Sequence, residues 1–109
     1  MIEKDVYDFL KKKYSVYLER PVNPPNEYLI IEKTNGGVVN MIEYATITVQ
    51  SYATTLYNAA KLNGSVCEYM EQITEDSAVM SCNLNGNYNY TDPSTKEYRY
   101  QAVFNIRML

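Results

Sequence analysis

From Tyr98 to Met108 the side chains alternate with a period of two. Tyr98, Tyr100, Ala102, Phe104, Ile106 and Met108 fall on one side, and Arg99, Gln101, Asn105 and Arg107 on the other, with Val103 the single interruption. A helix would scatter these residues around its circumference, so the pattern dictates an extended strand. Because the second side carries charges and amides, the strand packs on one face only, as in an antiparallel sheet. A sheet with one apolar face needs a second layer to cover it, and the rest of the chain must supply that layer.

Two segments have the periodicity to do so. Residues 2 to 17 place Ile2, Val6, Phe9, Leu10, Tyr14 and Tyr17 at three- and four-residue spacing, which predicts an amphipathic helix. Acidic Glu3, Asp5 and Asp8 precede Lys11, Lys12 and Lys13, an order that suits the helix macrodipole. Residues 51 to 73 predict a second helix, with Leu56, Ala59, Ala60, Cys67 and Met70 as its apolar stripe. Gly64 weakens its middle by about 1 kcal/mol relative to alanine, which predicts a bend or break there. Between the helices, Pro21, Pro24 and Pro25 hold the chain extended and deliver it to a strand over Tyr28–Lys33. Asn35-Gly36-Gly37 is a turn signal, since both residue types tolerate the positive φ of hairpin turns. A second strand over Met41–Gln50 turns Ala45, Ile47 and Val49 toward the core. A third runs from Ala78 through Met80, Cys82 and Leu84 on one face. Asn85–Lys96, dense in turn formers, reads as a long loop before the final strand. The order is thus α-β-β-α-β-β. The expected fold class is α+β: a single small domain over residues 1–109, with a mostly antiparallel four-stranded sheet and the helices packed on it.

The chemistry available is limited. The chain has no histidine, which removes the commonest general base and the most frequent metal ligand. No phosphate loop, nucleophile elbow or metal-spaced cysteine pair is present, so no catalytic, cofactor or metal residues are assigned. Cys67 and Cys82 read as reduced, buried small hydrophobes. Glu68, Glu71 and Glu75 read as a solvated helix face. Asn85, Asn87, Asn89 and Asp92 have too few carboxylates for a calcium loop. The net charge of −3 opposes a nucleic-acid grip, which needs a basic face, and Lys11–Lys13 read as a solvated helix end. No apolar run approaches the roughly 18 residues of a membrane span. The N-terminus lacks a signal-peptide pattern, so the expectation is a protein made in a cytoplasm that stays there or leaves inside a particle.

Tyrosine stands out: 12 tyrosines accompany 2 phenylalanines and no tryptophan. Tyr88 and Tyr90 offer rings that could stack on bases or sugars. Tyrosine is also enriched where proteins meet, because the ring buries area while the hydroxyl finds a partner. In an acidic chain without basic–aromatic interleaving, protein contact is the favoured reading.

The order of these features resembles the tail-terminator and tail-completion family of long-tailed bacteriophages and prophages. The resemblance rests on Arg20-Pro21 through Pro24-Pro25 before the strand Tyr28–Thr34 and Gly36-Gly37; on Ala45–Gln50 running through Ser51-Tyr52-Ala53 into a helix around Ala59-Ala60; and on Tyr90-Thr91-Asp92-Pro93 before the strand Tyr98–Arg107. It implies a structural virion subunit made in the bacterial host cytoplasm and placed at the head–tail junction. There it would form a homo-oligomeric ring, commonly a hexamer, that caps the tail tube and joins it to the head connector. Its partners would be other copies of itself, the tail-tube protein and a head-completion or connector protein, while DNA passes through the lumen without specific binding. The family has no catalytic residues. Gly36, Gly37, Tyr88, Tyr90, Asp92 and Pro93 are the expected contact residues, chosen for exposure and composition. The alternatives are a head-completion or connector-adaptor protein of the same junction, a cytoplasmic protein-binding module unrelated to phage, and, last, an enzyme.

Overall fold

The C-terminal alternation is realised as a strand that lies inside the sheet, with a neighbour on each side. In a computed structural model, which describes residues 1–109, the elements are α1 (Ile2–Lys11), β1 (Val16–Tyr17), β2 (Tyr28–Val39), β3 (Ile42–Tyr52), α2 (Leu56–Met70), α3 (Ile73–Asp76), β4 (Val79–Asn89) and β5 (Arg99–Met108). They make one α+β domain with a five-stranded sheet in the order β1-β2-β3-β5-β4. All pairings are antiparallel except β1 with β2. The sheet therefore has one strand more than expected and is mixed. No helix is long and apolar enough to cross a membrane.

The extra strand comes from residues assigned by periodicity to the first helix. Ile2, Val6, Phe9 and Leu10 are buried against the sheet as expected, but the helix stops at Lys11. Val16 and Tyr17 instead pair alongside Leu29 and Ile30. Strand geometry lets these neighbours serve opposite faces. Val16 enters the main core, and the Tyr17 ring meets Tyr28 edge-on with centroids 6.1 Å apart.

The glycine pair is not a turn. Gly36 and Gly37 lie within β2, opposite Ala45 and Tyr44. The hairpin turns four residues later at Asn40-Met41, with left-handed φ values of 51° and 67°, a two-residue loop of the type I′ class. The glycines answer to close packing: a Cβ on Gly37 would lie 2.8 Å from the Tyr44 hydroxyl, and one on Gly36 would lie 2.5 Å from Lys33 Cε. Tyr44 thus lays its ring over a bare stretch of the neighbouring strand. A bulge between Lys33 and Asn35 shifts the register just before them.

Further boundaries move for local reasons. The second helix begins at Leu56 because Thr55 caps it, its hydroxyl accepting from the Asn58 N–H at 3.1 Å. It runs unbroken through Gly64, whose α-carbon faces open space. Leu56, expected in the stripe, is exposed; Leu62 and Val66 are buried instead, with Ala59 and Met70. In β4, bulges between Val79 and Ser81 and between Leu84 and Gly86 break the alternation. The first bulge makes Val79 the core residue and leaves Met80 exposed, while Cys82 and Leu84 keep the expected face, opposite Ile106 and Phe104, although Leu84 on this edge strand remains exposed. The expected long loop is shorter too, since β4 continues to Asn89 and carries Tyr88 with it.

Both long helices lie on one face of the sheet. Beneath them a core of 19 buried residues includes Leu29, Ile31, Ala45, Ile47, Val49, Ala102, Phe104, Ile106 and Met108. The opposite face carries no helix, and its only buried apolar cluster is Tyr28, Ile30 and Tyr52.

Candidate interaction face

The helix-free face is built from the alternate residues of the same strands. In β3 these are Tyr44, Thr46, Thr48, Gln50 and Tyr52; in β5 they are Arg107, Asn105, Val103, Gln101 and Arg99, pairing one for one. Because β5 lies inside the sheet, its side chains touch both neighbours. The result is a continuous strip across one end of the face.

Tyr28 and Tyr52, directly opposite in register, stack with centroids 4.7 Å apart and planes 6° from parallel. Arg99 comes next. Its guanidinium lies 5.7 Å from the Tyr52 ring centroid and 4.8 Å from that of Tyr90. Its Nη1 donates to the Tyr52 hydroxyl at 3.0 Å and its Nε to the Tyr90 carbonyl at 2.7 Å. No carboxylate pairs with Arg99, so its charge is held by rings and by dipoles. Tyr88 meets Tyr90 edge-on at 6.0 Å. An amide relay runs beside the rings. The Tyr52 hydroxyl donates to Gln50 Oε1 at 3.1 Å, Gln50 Nε2 donates to Gln101 Oε1 at 3.0 Å, and Gln101 Nε2 donates to the Tyr88 hydroxyl at 2.6 Å. Burial raises the Tyr28 phenol above its ordinary pKa, an effect the Arg20 charge partly opposes. Nearby, Arg20 pairs with Glu97 and ties the proline-rich connector to the loop after β4.

Of the expected contact residues, Tyr88 and Tyr90 belong to this strip and keep 46% and 44% of their surface exposed. Asp92 has an internal task. Its Oδ1 accepts from the Ser94 N–H at 2.9 Å and the Ser94 hydroxyl at 2.7 Å, bonds that hold the carboxyl below its usual range. Pro93 is exposed between them at the loop's bend. Gly36 and Gly37 sit much further along the sheet, where β3 offers Ala45 and Tyr44 instead of Tyr52; they share no site with the tyrosines. The members that sequence reasoning passed over are Tyr28, Tyr52, Gln50, Gln101 and Arg99. One signal was readable: the side of the final strand away from the core carries Arg99 and Gln101, two long polar side chains in alternation.

The remaining candidate groups stay apart. Glu68, Glu71 and Glu75 are exposed, and no three acidic or thiol side chains converge as a metal ion requires. Cys67 and Cys82 are free and half-buried. Burial pushes both thiols up, Cys82 to about 11, which leaves them poor nucleophiles at neutral pH.

The fold and this face define an α+β domain whose sheet is covered on one side and presents a preassembled aromatic–amide strip on the other. No protein-family model matches the chain, and no curated protein matches it in sequence.

Proposed function

We propose that the chain is a structural, non-catalytic assembly subunit of the tail-terminator kind, which forms a ring on the end of a phage tail tube and joins it to the head. The observation that carries this reading is the strip from Tyr28 to Tyr88. It combines tyrosine and arginine, the residue types that dominate the energetics of protein interfaces. Its rings and amides are already fixed by hydrogen bonds and stacking, so docking a partner against it costs little further side-chain entropy. Arg99 keeps its charge, but its Nη1 and Nε already donate to the Tyr52 hydroxyl and the Tyr90 carbonyl and its plane lies between two rings, so the strip presents an ordered aromatic–amide surface rather than a free guanidinium fork for a phosphate. The acidic total charge suits a ring whose lumen lets DNA pass without holding it.

Tyr88→Ala combined with Tyr90→Ala tests this. Both rings are close to half exposed, so the monomer stays folded with the same circular dichroism spectrum, its unfolding midpoint lowered only by the loss of the Gln101–Tyr88 hydrogen bond. Assembly, followed by negative-stain imaging of the protein alone and with tail tubes, weakens at least about tenfold, the loss expected when interface anchors are truncated. Unchanged assembly removes the strip from the interface. Rings that bind isolated head connectors but not tubes favour the head-completion alternative.

A further inference from the structure

The two edges of the sheet match each other. β4 forms one edge: eleven residues, Val79–Asn89, without a charge or a proline. Edge strands usually carry lysine, charge or proline to prevent sheet-to-sheet pairing, and β4 relies only on its two bulges. At the other edge β1 covers just Leu29 and Ile30, which leaves β2 open from Ile31 to Val39, a stretch whose only charges are the exposed, oppositely charged neighbours Glu32 and Lys33 and which has one bulge after Lys33. Following the register across the sheet puts these two open stretches at the same height. Ile31 is level with Val49, Ala102 and Asn87; Asn35 is level with Thr46, Asn105 and Asn83; Val38 is level with Glu43, Met108 and Val79. The only stretch of β4 level with the capped part of β2 is its end, Tyr88-Asn89.

Direction and facing match as well. β2 is antiparallel to β3, β3 to β5 and β5 to β4, so β2 and β4 run oppositely and two copies placed side by side bring them together antiparallel. Residues at one height also share a face. Asn87, whose Oδ1 accepts from Asn63 Nδ2 of α2 at 3.3 Å, lies on the helix side with Ile31. Asn83 and Asn35 both lie on the helix-free side.

Resting on the assembly reading above, we propose that the β4 edge of one copy pairs antiparallel with the Ile31–Val38 edge of the next. The occupant of each edge is a second copy of this chain. A head-to-tail contact of this kind closes into a ring when the rotation between neighbours divides a full turn, and joining the edges at one height adds no strand offset that would make it climb. It keeps every subunit's helices on the same side and joins the helix-free faces into one surface.

Two variants test the joint, each adding the lysines that natural edges use. Asn83→Lys with Asn85→Lys blocks the β4 edge; Thr34→Lys with Asn35→Lys blocks the β2 edge. All four positions are exposed, so unfolding midpoints stay near the parent's. In native mass spectrometry each variant alone loses the ring. An equimolar mixture gives a heterodimer and nothing larger, because one good joint is restored. Oxidised Asn35→Cys/Asn83→Cys protein runs as a covalent ladder on a denaturing gel. If both lysine variants still form rings, the edge assignment is wrong while the assembly reading stands. If the β2-blocked variant still dimerises and the β4-blocked one does not, the joint is a two-fold pairing of β4 edges and the proposal is overturned. A parent protein that stays monomeric up to its solubility limit and in the presence of tail tubes overturns both readings.

Discussion

Met41 is held at φ 67° in the tip of the β2–β3 hairpin, a conformation that costs an L-residue with a Cβ roughly 1–2 kcal/mol. Its predecessor Asn40, at φ 51°, is the residue type that tolerates this region best after glycine. The Met41 side chain is 87% exposed, so truncating it removes almost no packing. Met41→Gly completes the asparagine–glycine pair that two-residue hairpins prefer. It is expected to stabilise the protein by about 0.5–1 kcal/mol, the relief being partly offset by the greater freedom of glycine in the unfolded chain. The urea midpoint should rise with an unchanged slope; a fall would mean that the tip's strain is not set by the methionine Cβ. The glycine pair shows why the local sequence does not place the turn. Gly36-Gly37 carries the stronger turn signal, but a bare backbone serves equally where a ring must cross it, and the Tyr44 ring lies on the partner strand. Choosing between those uses needs the register, which the local sequence does not contain.

Elements whose faces differ sharply in polarity were legible; elements that serve two surfaces were not. The faces of β5 are legible because one side is aliphatic or aromatic throughout. Ala45, Ile47 and Val49 in β3 were placed correctly for the same reason. The first bulge of β4 is not legible, since Met80 fits the alternating apolar face of Cys82 and Leu84 until the bulge puts Val79 in the core instead. β1 is not legible because Tyr14 and Tyr17 extend a helical period that the chain abandons at Lys11. The candidate strip was half legible. Tyr88 and Tyr90 were found by composition, whereas Tyr28, Tyr52 and Arg99 are brought together only by pairings between distant segments. The helix caps behave more locally. Thr55 adopts an extended φ of −135° and ψ of 157°, and its side chain satisfies the Asn58 N–H. Thr55→Ala should cost about 1 kcal/mol, read as a lower urea midpoint. Thr55→Ser should keep most of the stability, and a threonine-to-serine loss as large as the alanine loss would rule out capping as the cause.

Across the whole molecule, the groups that burial perturbs most bear on the alkaline side of neutrality. Cys82 is pushed from 9.0 to about 11 by burial, Cys67 is raised by burial and then by the Glu71 charge, and Tyr28 is raised by burial. All three are almost fully protonated in both the folded and unfolded states below about pH 8, so their full contribution to stability is present there. Above pH 9 the unfolded chain releases its thiol protons first, and near pH 10 its phenol protons, while the folded protein still holds its own. The unfolded state then binds fewer protons than the native one, and stability must fall as pH rises through this window. Histidine, the side chain that ordinarily titrates between pH 5 and 8, is absent, so the stability curve should be nearly flat from about pH 6 to 8.5 and decline toward pH 11. Cys82 contributes the largest share, and Cys82→Ala should make the decline measurably shallower, at the expense of a small uniform loss from the vacated volume. Urea titrations at half-unit steps from pH 6 to 11 would show both effects. A parallel decline in the parent and the variant would mean that Cys82 titrates normally in the folded protein. In that case the Cys82 thiol should also react with an aromatic disulfide reagent at pH 8 as fast in the native protein as in the unfolded chain, whereas a thiol held near 11 reacts far more slowly.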